Sequence, residues 1–382
     1  MNRQRASFFL LCLVLLSVGA CTEETIIEGG APPTRSYALG LGYFPHDGTP
    51  AGVLAALDVI GKDADMLVAH FDAGIPWDAA LADDFDAYPK NFRDEVIGIA
   101  GAVPAGHEVY LAVTPIAFQR DRLAPTLTDA GPVFQAPWDA RRFDHPDVIT
   151  AYTNHCHIMI DAFRPDYVAF GVEVNLFALL AADSLYQSYR VLADSVYADL
   201  KASYPALPVF QTIQADAYYV DVLAQRALIQ QLLPGTDYVA VSAYPYGNAF
   251  RYPDGSRADP ALLPASFFSA IRDLAPSKPF AIAETGWPAE TIAAPYPIEI
   301  LSGTLYQQQY LSFVLDESDR LEAQFVSLLI SRDYDVFWES TLKNHPDAAT
   351  LRLWRDIGLY DGDGVARPAL ARWNVRLDRE RR

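Results

Sequence analysis

Short runs of apolar, β-branched and aromatic residues alternate along the chain with longer segments of helical hydrophobic periodicity. This alternation is typical of a parallel sheet built from βα units. Parallel strands are buried on both faces, so their sequences are continuously apolar. Eight such runs predict eight strands: Tyr37–Tyr43, Met66–His70, Val109–Thr114, Tyr167–Asn175, Val209–Ile213, Tyr238–Tyr244, Phe280–Glu284 and Phe325–Ile330.

The segments between these runs have the length and periodicity of helices. Eight strands with eight connections predict a single (β/α)8 TIM barrel, in fold class α/β. The longest irregular stretch, Pro115 to His145, follows the third strand, and we expect it to form a wall of the substrate cleft. The predicted helices are 53–60, 91–102, 147–163, 184–202, 219–232, 261–273 and 304–320.

The N-terminus has the pattern of an export signal. A basic start precedes a short apolar run, Phe8–Val18, which is shorter than the ~20 apolar residues of a spanning helix. Val18-Gly19-Ala20-Cys21 resembles the lipobox of bacterial lipoproteins. We therefore predict a signal peptide over 1–20, a lipidated Cys21 with a flexible tether over 21–36, and a folded body over 37–382. An ordinary secretory signal with an incidental Cys21 is the alternative.

Composition narrows the classes of partner. The formal net charge is −19, so we expect no binding of nucleic acid. Of the three cysteines, Cys12 and Cys21 belong to the N-terminal segment, so Cys156 has no partner for a disulfide. The chain contains no G-x-G-x-x-G and no P-loop. We expect no cofactor, no metal and no protein partner, and a membrane association only through the N-terminal lipid anchor.

Two acids interrupt or end apolar strands, Glu173 in the fourth and Glu284 in the seventh. Acids are depleted in strands, and barrels carry their active sites at the C-terminal ends of strands. These two strands face each other across the barrel, so the carboxyl groups can approach to ~5–5.5 Å, the separation of a retaining glycosidase pair. We expect Glu173 to be the protonated acid/base, Glu284 the ionised nucleophile, and Tyr244 the residue that orients Glu284.

Other polar and aromatic side chains on this face are candidates for substrate binding, because sugar rings stack on aromatic faces. We predict that Trp354 and Trp373, in the C-terminal helical region, are packing residues. The predicted binding residues are His70, Trp77, Asn175, Gln211, Trp287, Arg332 and Trp338.

Three motifs carry a resemblance to glycoside hydrolase clan A. Glu284–Pro288 (ETGWP) is similar to the strand-seven motif of families 53, 17 and 5, Gly171–Asn175 (GVEVN) resembles the strand-four motif, and Val241–Pro245 (VSAYP) resembles strand six. The resemblance extends over the body and implies a catalytic domain with its acid/base on strand four and its nucleophile on strand seven. One departure is Val172, which occupies the position of the asparagine that precedes the acid/base in the clan.

The sequence therefore predicts a retaining glycoside hydrolase that cleaves a β-linked polysaccharide or oligosaccharide. It would be exported and lipid-anchored at the bacterial cell surface or periplasmic face, with the outer membrane favoured where there is one. A surface lipoprotein that binds glycan without cleaving it is the alternative, because of Val172. A metal-dependent hydrolase barrel is a third reading, which the lack of a His-x-His at the end of strand one disfavours.

Overall fold

The structure is a computed structural model that describes residues 33–247, 258–293 and 299–382. The predicted signal peptide, Cys21 and nearly all of the tether lie outside the described residues. Thr34–Arg382 forms one compact unit around a parallel sheet. Its strands are β1 (Ala38–Gly42), β2 (Met66–Phe71), β3 (Glu108–Val113), β4 (Tyr167–Ala169), β5 (Val209–Phe210 and Thr212–Gln214), β6 (Val239–Ala243), β7 (Phe280–Thr285) and β8 (Phe325–Leu328).

The strands follow one another around a barrel in chain order. β1 pairs in parallel with both β2 and β8, which joins the beginning of the sheet to its end. β5 is interrupted at Gln211: its first part pairs with β4 and its second part with β6, so β5 links the two edges of the sheet. The predicted (β/α)8 barrel is confirmed.

The barrel interior is filled by small and aromatic side chains in layers, as is usual for this fold. Phe210 stacks on Tyr238 with ring centroids 5.4 Å apart, and Tyr110 lies 4.9 Å from Phe325. Gly40 belongs to the same interior: a Cβ there would lie 2.5 Å from the end of the Met66 side chain. The interior is therefore a packed core that supports a site at one end rather than a channel.

Eight of the thirteen α-helices in the described ranges form the outer layer of the barrel, one in the segment that follows each strand. Side chains cap some of their starts: Thr49 accepts from Gly52 N ahead of α1, and Asp221 accepts from Ala224 N ahead of α5. They are α1 (Pro50–Asp63), α2 (Lys90–Gly101), α3 (Pro146–Phe163), α4 (Asp183–Ser203), α5 (Val222–Leu232), α6 (Ser269–Arg272), α7 (Thr304–Arg320) and α8 (Pro368–Leu377).

The prediction of a helix over 261–273 is wrong. That segment contains a 3-10 turn, Pro260–Leu262, and only α6 is α-helical. Pro264 disfavours helical backbone at the residue before it, so the apolar residues Phe267 and Phe268 are buried from irregular chain instead. The sixth helix is consequently one turn long.

Further short elements lie between the strands and these helices. β4 ends at Ala169, six residues before the predicted end, and a turn follows it. No helix of the described ranges is long and apolar enough to cross a membrane. The short elements are α-helices Trp77–Leu81, Val174–Leu180, Ala215–Tyr218, Asp335–Ser340 and Ala348–Trp354, 3-10 turns Phe85–Ala87, Trp138–Ala140, Leu233–Gly235 and Leu342–Asn344, and the hairpin Thr126–Thr128 with Gly131–Val133.

Candidate active site

Glu284 lies at the C-terminal end of β7, where the pairing with β6 shifts register and sets it opposite Ser242. Its side chain is largely buried, and Tyr244 OH donates to Glu284 Oε1 at 2.6 Å. The other oxygen, Oε2, lies 3.4 Å from His70 Nδ1. Tyr244 therefore lies where the strand order predicted, with Glu284 fixed between it and a histidine from β2.

The surroundings of Glu284 favour its protonated form more than water does. Burial is the main reason that the pKa of Glu284 is raised, and the nearby charge of Glu173 raises it further. His70, the Tyr244 hydrogen bond and Arg120 act in the opposite direction without cancelling the shift. Glu284 thus becomes a carboxylate at a higher pH than an ordinary glutamate does.

Glu173 is placed by a turn, not by a strand. It has φ 51° and ψ 45° and precedes the helix Val174–Leu180. A non-glycine residue in this left-handed region costs about 1–3 kcal/mol, and such strain is concentrated at functional sites. Glu173 N donates to Thr212 Oγ1 at 2.8 Å, and Ser242 Oγ donates to Glu173 Oε1 at 2.8 Å, so the strained residue is anchored from β5 and β6.

Arg120 is a site residue that sequence reasoning missed. It is buried in the loop after β3 at φ 56°, and its Nε donates to Glu173 Oε2 at 3.1 Å. Its two terminal nitrogens donate to Asp72, at 3.0 and 2.7 Å. Arg120 thus pairs with the carboxyl group that the sequence predicted as the acid/base. The loop was predicted as a cleft wall, but no motif marked its arginine.

His70 and Asp72 complete a line of charges between the two glutamates. His70 Nε2 lies 3.8 Å from Asp72 Oδ2, while its other nitrogen faces Glu284. Burial alone would lower the pKa of His70, but the charges of Glu284 and Asp72 outweigh it and the pKa is raised. Burial alone would raise the pKa of Asp72, but the charge of Arg120 outweighs burial and the pKa of Asp72 is lowered. The sequence predicted His70 in the site; Asp72, two residues after it, was missed.

These residues line a cavity of about 350 Å³, at the small end of the range for ligand pockets. Trp354 and Phe118 form an aromatic part of its wall, with ring centroids 6.0 Å apart. The indole N–H of Trp354 is buried without a protein partner, and its ring lies 5.7 Å from that of Tyr244. The prediction that Trp354 only packs is therefore wrong, because a helix after β8 turns it into the pocket.

The structure does not bring the three predicted tryptophans to this pocket. Trp77 is fully buried, stacks on Trp138 at 5.3 Å and donates to Ala124 O. Trp287 is buried beneath β7 and donates to Ser302 Oγ. Trp338 is buried with Arg352 over its ring, outside the pocket lining. Each was predicted from its loop, and the loops fold these rings into the core.

Three predicted polar residues also lie outside the pocket. Asn175 is fully buried and its amide bonds to Gln214 and Gln225. Gln211 accepts from Tyr189 OH and donates to Gly235 O. Arg332 donates to Gly362 O beside a separate cavity of about 270 Å³. Asn175 satisfies both backbone groups of Gln214, and Gln211 satisfies the carbonyl of Gly235.

Asp216 is a second residue that the sequence did not indicate. Its Oδ2 accepts from Tyr244 N at 2.8 Å, while its Oδ1 is buried without a partner. Burial raises the pKa of Asp216 to about 7. It fixes the backbone of the tyrosine that in turn fixes Glu284.

Glu290, Asp333 and Asp356 form an acidic group that resembles a metal site, with one oxygen of each within 4.8 Å of the others. Arginines already pair with all three acids. Arg367 contacts Glu290 at 2.9 Å and also pairs with Asp333, and Arg352 contacts Asp356 at 2.7 Å. The charges of this group are thus matched by protein cations, and it connects the segments that follow β7 and β8.

Comparisons with known proteins give structural matches only. No family model and no curated protein sequence matches the chain. An exo-β-1,4-mannosidase from Opitutaceae bacterium strain TAV5 superposes with a TM-score of 0.63 at 14% identity, over 91% of this chain and 61% of that one. This chain thus spans less than two thirds of that mannosidase.

Two further structures share the barrel. A GH5_18 variant from Streptomyces cattleya, in complex with Manb1-4GlcNAc, has a TM-score of 0.61 at 17% identity over 90% of this chain and 80% of that one. A β-D-glucuronidase from Dictyoglomus thermophilum has a TM-score of 0.51 at 13% identity, over 90% and 51%. The chain therefore has the TIM-barrel fold of these glycosidases, the fold that its resemblance to clan A implied.

Proposed function

We propose that the protein is a retaining glycoside hydrolase that cleaves a β-linked polysaccharide or oligosaccharide by double displacement. The observation that carries the proposal is the pair of glutamates lining one pocket, Glu284 at the end of β7 and Glu173 after β4, with Tyr244 bonded to Glu284 at 2.6 Å. Two carboxyl groups facing one cleft are what acid/base and nucleophilic glycoside hydrolysis require.

In the first step, Glu284 attacks the anomeric carbon while the glycosidic C–O bond breaks. Glu173 gives its proton to the departing oxygen, and the sugar remains bonded to Glu284 as an ester. In the second step, Glu173 takes a proton from water, whose oxygen attacks the same carbon and releases Glu284. The two inversions retain the anomeric configuration.

The neighbouring residues have distinct parts in this chemistry. Tyr244 orients one oxygen of Glu284, and His70 lies beside the other. Arg120 and Ser242 each donate a hydrogen bond to one oxygen of Glu173, and they hold the carboxyl group that activates water in the second step. A proton must reach Glu173 before the first step, and Glu284 must have lost its own, which its raised pKa places at a higher pH than for an ordinary glutamate. Trp354 offers a ring face on which a sugar can stack.

The structural neighbours support a glycan as substrate, since their titles name mannosidase, glucuronidase and a bound Manb1-4GlcNAc. The N-terminal segment supports action outside the cytoplasm, with Cys21 as the lipid-bearing residue. Mass spectrometry of the native protein tests this: a chain that begins at Cys21 and carries a glycerolipid on that residue would support the location, and an uncleaved chain that begins at Met1 would contradict it.

A non-catalytic glycan-binding protein is the second candidate. Two observations favour it: the ion pair with Arg120, which occupies the carboxyl group proposed as the acid/base, and the buried Val172, which offers no polar group to a sugar. This candidate predicts saturable glycan binding without new reducing ends.

Release of reducing ends decides between the two. The protein and its Glu284→Gln variant are tested side by side on β-galactan, mannan, xylan and β-glucans, with Glu339→Gln as a matched control on an exposed helix outside the pocket. The proposal predicts activity on one polymer that survives in the control and vanishes in Glu284→Gln. Binding by all three proteins with no reducing ends from any would establish the non-catalytic candidate.

A further inference from the structure

The barrel does not determine whether the substrate carries a charge. Structures with this fold include the mannosidase described above and a β-glucuronidase from Ruminococcus gnavus in complex with D-glucuronic acid. A uronic acid brings a carboxylate into the pocket, and its binding needs a cation that no other group has already neutralised. The charges lining the pocket therefore bear on the class of sugar.

Two cationic side chains line the described part of the pocket, Arg120 and His70. All three nitrogens of Arg120 already donate to carboxylates: both terminal nitrogens bond to Asp72, and Nε bonds to Glu173. A substrate carboxylate would have to displace a bidentate pair that is already buried, with the cost of leaving Asp72 unpaired.

His70 is no more available than the arginine. Its two nitrogens lie 3.4 Å from Glu284 and 3.8 Å from Asp72, so a carboxylate already faces each side of the ring. The charges of these two acids raise the pKa of His70, against the effect of burial. A proton on His70 would therefore face carboxylates that are already in place, and it would add no surplus charge that an anionic sugar could use.

Carboxylates outnumber cations in the lining. Asp72, Glu173 and Glu284 are joined by Glu95, which accepts from Tyr43 OH at 2.7 Å. Of these four acids, Glu95 and Glu284 have raised pKa values. Even if both were protonated, the negative charges of the other two acids would equal the positive charges of the two cationic side chains. The formal charge of −19 on the whole chain adds long-range repulsion of polyanions.

We propose that the substrate is an uncharged glycan, and that Asp72 excludes uronic acids by engaging Arg120 with both of its oxygens. This inference rests on the proposed function and deepens it by naming the substrate class. Like charges brought together at a binding site are strongly discriminated against, so we expect a neutral sugar to be preferred to its uronic counterpart by at least ~100-fold.

Matched pairs of aryl β-glycosides test the selectivity. The glucoside and glucuronide, the galactoside and galacturonide, and the mannoside and mannuronide differ within each pair only at C6. We expect kcat/KM of the neutral member to exceed that of the acid by ~100-fold or more in every pair that is cleaved. A uronide cleaved as fast as its neutral partner would overturn the inference while leaving glycosidase activity established.

The Asp72→Asn variant tests the residue. It releases Arg120 and removes one negative charge, so we expect the acid-to-neutral ratio of kcat/KM to rise by about tenfold, even where both rates fall. Glu95→Gln is the matched control: it removes a charge from the same pocket but frees no cation, and we expect a smaller change in the ratio. An equal change in the two variants would overturn the role given to Asp72.

Binding separates this inference from the failure of the proposed function. Absence of hydrolysis on every aryl glycoside and polymer would refute the glycosidase but not the charge argument. Calorimetric titration of the Glu284→Gln variant with β-1,4-linked mannohexaose and hexamannuronate, and with the corresponding gluco and galacto oligomers, then decides. Binding of a neutral oligomer alone supports the inference, and tighter binding of a uronic oligomer, or no binding of either class, overturns it.

Discussion

The two walls of the pocket are built in different ways. The Glu284 wall consists of Tyr244 and Glu284 at the ends of adjacent strands, where strand pairing fixes both side chains. The Glu173 wall consists of Asp72, Arg120 and Glu173, all beyond strand ends, and two of these have positive φ. A short hydrogen bond between residues at the ends of paired strands holds the first, and an ion-pair network on loops, two of whose residues have positive φ, holds the second.

This difference indicates a division of tasks. A nucleophile must present one oxygen to one carbon in a fixed geometry, which suits a side chain on a rigid strand. An acid/base must change its proton twice in each cycle, and Glu173 makes these changes beside the charged side chain of Arg120. The comparison therefore predicts that substitutions in the two walls have different kinetic signatures.

The largest effect is expected for Glu284→Gln. Glutamine keeps the shape but is not a nucleophile, so kcat/KM should fall by about 10⁴-fold or more. The measurement is steady-state hydrolysis of the best aryl glycoside, with circular dichroism to show that the fold is retained. Residual activity within tenfold of the wild type would end the assignment of Glu284.

Glu173→Gln should lower kcat/KM by about 10²–10⁴-fold, and the size of this decrease should depend on the leaving group. A phenolate of low pKa departs without a proton, so the variant should keep most of the rate of the first step with such a leaving group. An alkyl leaving group needs the proton, so its first step should slow by the full amount. A series of aryl and alkyl glycosides measures this dependence. A loss equal for all leaving groups would contradict the acid/base role and distinguish Glu173 from a residue that only supports the fold.

Tyr244→Phe should have a smaller effect. It removes a hydrogen bond to a carboxylate, worth about 1.5–3 kcal/mol, and we expect kcat to fall by about 10–100-fold. Because this hydrogen bond lowers the pKa of Glu284, the acid limb of the pH profile should also move to higher pH. A fall in rate with an unmoved limb would show that Tyr244 acts only through packing.

The smallest change concerns the pH profile. Glu284 must be ionised to attack, and its pKa is raised. Activity should therefore decline as the pH falls, and the midpoint of this decline should lie above the pKa of an ordinary glutamate. The positive charge of His70 lowers this pKa, and His70→Asn removes it, so the acid limb should move further toward neutral pH. Measuring kcat/KM against pH checks the sign, and a shift to lower pH would contradict the arrangement.

Predictability from sequence differed between the two walls for a physical reason. The order of the strands in the barrel determines which strand ends are adjacent. The contact between Tyr244 and Glu284 could therefore be predicted from the apolar runs and the residues at their ends. Arg120 and Trp354 reach the pocket through long loops whose course depends on tertiary packing. The sequence of such a loop fixes which residues it contains, but not which of them it turns inward.

The same limit explains the residues that were misplaced. Trp77 and Trp287 were assigned to the catalytic face by their positions after strands, and short helices or turns then buried them. Asn175 was assigned on the assumption of a strand that continued through Glu173, but the chain turns at Glu173 with φ 51°. The acids themselves were found because a charge in an apolar run is unusual, whereas their partners lie in polar loops.

Covalent trapping tests the central claim most directly. A 2-deoxy-2-fluoro glycoside with a good leaving group slows the second step of a retaining enzyme, so the sugar accumulates as an ester on the nucleophile. The double-displacement account predicts a single added sugar, located by peptide mass spectrometry on Glu284 and absent from the Glu284→Gln variant. A sugar on another residue, or turnover of an ordinary glycoside with inversion and no trapped ester, would contradict it.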